Sequence, residues 1–191
     1  KVLQPGKLDD TFLNSLPEDI DIGVVVAYGK ILPQKLIDLF PKGLINIHYS
    51  LLPKYRGASP VESAILNGDN ETGVTIQKLV FKLDAGPIIA SEKIDLDQNI
   101  KTPELKDLLT DVGNDLLIKI LPEYVEGNIN LTEQDESFAT HCGKISKADG
   151  EIKDSEPDIK KWRKYRAYFP WPGIFYFDSE GKRTKITEAT F

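Results

Sequence analysis

Three side chains in this 191-residue chain are of the types that chemistry at a carbonyl group requires: Asn46, His48 and Asp84. Asn46 and His48 stand two residues apart in Leu44-Ile-Asn-Ile-His-Tyr-Ser50. On a strand, alternate side chains share a face, so Asn46 and His48 project together while Ile45 and Ile47 point the other way. An amide donor beside an imidazole suits a reaction that builds negative charge on a carbonyl oxygen. Asn46 hydrogen-bonds the developing oxyanion, and His48 donates or shuttles a proton. Asp84, in Asp84-Ala-Gly86 between two apolar runs, is the second candidate acid. Each residue also has a plainer reading: a satisfied histidine closing a strand, and a turn aspartate bonded to its own backbone.

The flanking pattern predicts the elements that position them. Residues 21–27 form a β-branched run of strand length, and 44–47 form another. Between them, residues 33–40 place Leu36, Ile37 and Phe40 at helical spacing, with Pro33 at the start and Pro41 just past the end. This β-α-β order with short loops predicts a parallel sheet, whose C-terminal strand ends are where ligands gather. A loop over 51–58 leads to a helix over 60–67 closed by Gly68, and strands near 72–80 and 87–94 flank the Asp84 turn. Thr102 as N-cap, Pro103 at the first helical position and Glu104 in the first turn predict a long helix. Its Leu105, Leu108, Leu109, Val112, Leu116, Ile120 and Val125 keep to one side. After Gly150 come a basic helical stretch over 158–168, the rigid turn Pro170-Trp-Pro-Gly173, and two strands around Ser-Glu-Gly. The expected division is an α/β domain over 1–145, a linker over 146–170, and the start of a β-rich domain over 171–191.

Composition sets the outer limits. The net charge of −6 argues against a protein that coats nucleic acid, yet its location matters more than its size. Residues 91–137 carry −8 by themselves, so the remainder is close to neutral, and residues 151–191 carry +2. Most of the acidic excess is expected on the solvated face of the long helix. A single cysteine, Cys142, can form neither an internal disulfide nor a zinc cluster, and no apolar run reaches the roughly 18 residues that span a bilayer. The expectation is a soluble, intracellular protein without a metal. A start at Lys1, the lack of Met, and a stop just beyond the alternating run Thr184-Lys-Ile-Thr187 read as a fragment or processed chain.

The ordered set Asn46-Ile-His48-Tyr-Ser50-Leu-Leu-Pro53-Lys-Tyr-Arg56-Gly-Ala-Ser-Pro60, Gly68-Asp69, Thr72-Gly-Val-Thr75 and Leu83-Asp84-Ala-Gly86 resembles the 10-formyltetrahydrofolate-dependent formyltransferases, in particular the branch acting on methionyl-tRNA. Val24–Pro33, Lys144–Gly150 and Phe169–Gly173 extend the resemblance over nearly the whole chain. It implies a Rossmann-like, mostly parallel sheet followed by an OB-like barrel domain. It also implies direct transfer of a formyl group from the folate N10 to the amine of methionine on initiator tRNA, by a monomer in the bacterial cytoplasm, or in an organelle if a targeting segment has been lost upstream. By position, Asn46 would bind the formyl oxygen. His48 would assist near that oxygen and the leaving N10, and Asp84 would orient the imidazole or accept the amine proton.

The folate would lie against Tyr28, Gly29, Ile31, Leu32 and Pro33, then Ser50, Leu51, Leu52 and Pro53, and the turn at Asp84, Ala85 and Gly86. Leu51 and Leu52 also fit plain core packing. For tRNA, Lys160, Lys161, Arg163, Lys164 and Arg166 give five basic residues in seven with Trp162 and Tyr165 interleaved. The alternative is a solvated helix face with the aromatics turned in. Lys54 and Arg56 would meet the acceptor end, and Lys144 and Lys147 could add phosphate contacts. Departures from the family pattern are the missing glycine-bearing first strand and its loop, Phe169 at a position usually Asn, and Thr140-His141-Cys142-Gly143, in which His141 and Cys142 are expected to be structural. Rival readings sharing Asn46, His48 and Asp84 are a sugar-nucleotide amine N-formyltransferase and a formyltetrahydrofolate hydrolase or dehydrogenase domain. A rival of another class is an inactive, truncated RNA-binding protein.

Overall fold

The computed structural model describes residues 2–190. A short helix α1, Asp10–Leu13, precedes strand β1, Gly23–Val26, formed by the β-branched run. Helix α2 spans only Gln34–Ile37, shorter than the 33–40 pattern, because Pro33 serves as N-cap and the chain leaves the helix at Asp38. Leu36 and Ile37 still face inward as their spacing predicts. Strand β2, Leu44–His48, then lies parallel to β1, with Val25 opposite Asn46 and Val26 opposite Ile47.

Beyond a two-residue strand β3, Arg56–Gly57, the chain forms α3, Pro60–Asn67, closed by Gly68 at φ 67°. Strands β4, Glu71–Lys78, and β5, Ile88–Asp95, complete a sheet of order β1-β2-β4-β5. The expected parallel pairing holds for β1 and β2, whereas β2–β4 and β4–β5 are antiparallel. Residues 79–87 are too few for the crossover of a dozen or more residues that a parallel β4–β5 pair would need. Opposite Asn46 stands Gln77, and opposite His48 stands Thr75, so these four side chains share one face. Ile45, Ile47, Val74 and Ile76 form the other, buried against the core.

That apolar face is covered by α4, Thr102–Glu126. Its buried residues are Thr102, Leu105, Leu109, Gly113, Leu116 and Ile120, so the predicted stripe is buried at Leu105, Leu109, Leu116 and Ile120, half-buried at Val112 and Val125, and Leu108 lies 41% exposed on its flank. Gly113 lies close against the sheet: a Cβ there would stand 3.0 Å from Ile47 and 3.5 Å from Val74. The N-cap is Lys101 rather than Thr102, for two reasons. The Lys101 N–H donates to Glu104 Oε2 at 2.9 Å, and the Thr102 hydroxyl is drawn inward to donate to the Ala167 carbonyl at 2.7 Å.

The remaining elements are β6, His141–Cys142, parallel to β3, helix α5, Asp158–Ala167, and a hairpin of β7, Ile174–Phe177, with β8, Arg183–Ile186. The stretch expected as a linker, 146–170, is packed rather than loose: Tyr165, Ala167 and Tyr168 are buried in the same cluster as Ile45, Leu105 and Ile174. Among the described residues no helix is long and apolar enough to cross a membrane, and no group of three or more His, Cys, Asp or Glu could hold a metal ion.

Candidate active site

Asn46 and His48 sit side by side on the polar face of β2, which has β1 on one side and β4 on the other. The connection from β4 to β5 folds back over this face and brings down Asp84, which is buried. His48 Nδ1 and Asp84 Oδ1 are 3.8 Å apart, beyond hydrogen-bond length. Each carboxylate oxygen of Asp84 has its own donor: Gly57 N–H to Oδ2 at 2.8 Å and Gln77 Nε2 to Oδ1 at 3.0 Å. Both donors come from outside its own turn, so Asp84 is not the turn aspartate bonded to its own backbone. It holds φ +47°, a left-handed conformation uncommon for a residue with a side chain. The side-chain amide of Asn46 has no hydrogen-bond partner among the described residues.

The other ring nitrogen fixes the tautomer of His48. Nε2 lies 2.9 Å from the Tyr55 carbonyl, which can only accept, so the proton is on Nε2 and Nδ1 presents a lone pair towards Asp84. Tyr55 itself stands at φ +60°, the conformation in which it presents that carbonyl. Burial pushes the His48 pKa below the ordinary 6.5, with Asp84 and the Tyr55 carbonyl opposing the shift. The ring is then neutral at pH 7 and ready to take a proton at Nδ1, where the Asp84 carboxylate would stabilise it. Because the neutral form is lost only as pH falls through the lowered pKa, the acidic limb of a kcat/KM profile should lie below pH 6.5. A limb at or above that value would contradict this assignment.

Several expected binding residues are placed differently. Arg56 does not face solvent: its side chain is fully buried. Its Nε and Nη2 donate to Gln134 Oε1 at 3.0 and 2.8 Å, and Nη1 donates to Glu136 Oε1 at 3.0 Å. Fully enclosed, the guanidinium is out of reach of a phosphate. On α5 the basic residues divide. Lys160 is exposed, and Lys161 is half-buried beside Asp158. Arg163 lies across Gly68 and donates to the Asn67 carbonyl at 3.1 Å, satisfying the end of α3. Lys164 pairs with Glu156 at 2.9 Å, and Arg166 is buried. Tyr165 is turned inward as well, so most of this run belongs to the interior.

The sequence model of the formyl transferase family matches residues 9–121. The chain belongs to the formyl transferase family. A methionyl-tRNA formyltransferase of Chloroflexus aggregans is 44% identical over 98% of this chain and 61% of its own length. One from Finegoldia magna is 39% identical over 97% and 60%. The chain thus spans about three fifths of the length of these curated relatives. Among solved structures, a sugar N-formyltransferase from a Shewanella species superposes with a TM-score of 0.78 at 20% identity, over 94% of this chain and 73% of that one. HypX from Aquifex aeolicus, in complex with tetrahydrofolic acid, gives 0.72 at 18% identity, over 82% and 27%. Both share the formyltransferase fold.

Within this family fold, Tyr28, Gly29 and Ile31 are exposed at the end of β1, and Leu32 and Pro33 are half-buried. Parallel pairing brings that end beside His48. Ser50 and Leu52 are buried, and part of their backbone is already used: Leu52 N–H donates to Thr75 Oγ1, whose hydroxyl donates to the Ser50 carbonyl at 2.7 Å. Leu51 and Pro53 are half-buried, as is Ala85, whereas Gly86 is buried. His141 is exposed, and Cys142 Sγ donates to the Tyr55 carbonyl at 3.3 Å, beside the His48 contact. Sequence reasoning missed Gln77 and Gln134. Gln77 had one local signal, its position two residues after Thr75 on a strand, and Gln134 had none. Two clefts of about 500 and 530 Å³ lie elsewhere, and neither is lined by Asn46, His48 or Asp84.

Proposed function

We propose that the intact protein transfers a formyl group from 10-formyltetrahydrofolate to the amino group of methionine on initiator methionyl-tRNA. The observation that carries this reading is the uncommitted Asn46 amide beside a neutral His48 whose Nδ1 faces a doubly hydrogen-bonded Asp84. The amine attacks the formyl carbon, and Asn46 donates to the oxygen that becomes an oxyanion. His48, supported by Asp84, takes the proton leaving the amine and returns it to N10 as the C–N10 bond breaks. Formyl passes directly between nitrogens, so no covalent enzyme intermediate is needed.

The choice of tRNA as acceptor rests on the curated relatives, and that of folate on family membership together with the tetrahydrofolate bound by HypX. The folate site is assigned to Tyr28, Gly29, Ile31, Leu32 and Pro33, with Ser50 to Pro53 and the turn at Asp84, Ala85 and Gly86. Main-chain groups there would pair with the pterin edge while apolar side chains cover its face. Lys54, Lys160 and Lys161 are the cations assigned to tRNA phosphate, and the protein is assigned to the bacterial cytoplasm as a monomer. The test is formyl transfer by the intact protein to methionyl-tRNA and, in parallel, to an amino-sugar nucleotide. Transfer to tRNA is expected, and a double Lys160→Glu, Lys161→Glu variant should raise KM for tRNA and flatten its salt dependence. Activity on the sugar nucleotide alone would replace the acceptor, and activity on neither would end the reading.

A further inference from the structure

Asp84 occupies a left-handed backbone conformation that a residue with a side chain resists, so neighbouring contacts must hold it there. Gln134 supplies them from a segment about 50 residues further along the chain. Its Nε2 donates to the carbonyls of Asp84 at 2.9 Å and Gly86 at 2.7 Å, one on each side of the bend. An amide can be turned over, exchanging donor for acceptor, but here it cannot: Oε1 receives two hydrogen bonds from the buried Arg56. Arg56 thereby fixes Nε2 towards the turn. The same Nε2 lies 3.3 Å from Gln77 Oε1, the longest of the three contacts its two N–H groups share, which agrees with the orientation in which Gln77 Nε2 donates to Asp84 Oδ1. Glu136 anchors the far side of the guanidinium and is itself held by Lys82 at 2.8 Å.

We propose that Gln134, oriented by Arg56, is a positioning residue that sets the placement of Asp84 against His48, directly through the turn carbonyls and indirectly through Gln77. The polarity of the chain is fixed at each link, from a cation with only donors to a carboxylate with only acceptors. Arg56 therefore acts in the interior on the geometry of the site. The proposal rests on the formyl-transfer reading for its kinetic consequence, but not for its structural one.

The test uses the imidazole ¹⁵N titration of His48 in the full chain, which has just two histidines, so that comparison with His141→Asn assigns the signal. Gln134→Met keeps side-chain length and removes the amide. Asp84 faces His48 from the β4–β5 connection, and the Tyr55 carbonyl, shared with Cys142 Sγ, meets its other nitrogen from the loop after β2; the substitution is aimed at the first of these contacts. The His48 midpoint should fall, because Asp84 no longer supports the imidazolium. In the same variant kcat should drop about tenfold to a hundredfold with KM unchanged, as expected when a reacting group is misplaced by about 1 Å. Gln77→Met, which removes the Oδ1 donor and the contact with Gln134 but leaves the turn carbonyls bonded, should move His48 in the same direction, and it decides the matter if Gln134→Met does not fold. A folded variant that is less stable but leaves the His48 midpoint unmoved would overturn the proposal. An inactive parent protein would instead remove the formyl-transfer reading and leave the titration result standing.

Discussion

Asn46→Ala in the intact protein should lower kcat for formyl transfer by about a hundredfold to a thousandfold, the cost of losing one preorganised donor to an oxyanion. The effect belongs in kcat because the hydrogen bond strengthens as charge moves onto the formyl oxygen, and the ground-state carbonyl gains much less from it. Little of the loss should come from unfolding. The Asn46 amide has no protein partner among the described residues, so its removal orphans nothing, and the strand keeps its pairing with β1 and β4. Asn46→Asp is the sharper comparison. It preserves shape but faces the developing oxyanion with acceptors, and it should be at least as damaging as alanine. A rate within about threefold of the parent for Asn46→Ala would mean that the oxyanion is stabilised elsewhere, and the roles assigned to this face of β2 would have to be redrawn.

What could be read from the residues follows the range of the interaction. Asn46 and His48 share a face because strand periodicity is two, a local rule, and the register with Gln77 and Thr75 bears that out. The stripe of α4 was legible for the same reason, but its centre was not. Leu108 promised burial and Gly113 did not, since only the packed helix shows that the close approach to Ile47 and Val74 needs a residue without a side chain. Thr102 has good N-cap chemistry but is taken by Ala167, a partner 65 residues away. Arg56 is the clearest miss. A basic residue in a Pro- and Gly-bearing loop is ordinarily solvated, and its burial depends on Gln134 and Glu136, which arrive about 80 residues later. The basic run of α5 misled similarly: charge density counts cations, whereas the direction of each depends on Gly68, Glu156 and the core beneath.

Gly57→Ala should cause a combined loss of stability and rate, and it ties the small β3–β6 sheet to the reacting groups. Gly57 holds φ +123°, a conformation side chains resist, and an added Cβ would stand 2.1 Å from the Cys142 carbonyl oxygen on the paired strand. That neighbour is backbone, so β3 and β6 must separate. Separation also draws the Gly57 N–H away from Asp84 Oδ2, a hydrogen bond to a buried carboxylate worth about 1.5–3 kcal/mol. With roughly 1–3 kcal/mol of backbone strain added, the loss should be about 4 kcal/mol, which for a chain of this size lowers Tm by about 10 °C. Below that temperature the folded variant should still show reduced kcat, because Asp84 has lost one of its two donors. Gly127→Ala supplies the control: its φ is +82° and nothing lies within 4 Å of the added Cβ, so conformational strain acts alone. It should cost about 1 kcal/mol at the end of α4 and leave kcat unchanged. Equal losses of stability and rate in the two variants would show that strain alone accounts for Gly57 and that its N–H does not help to hold Asp84.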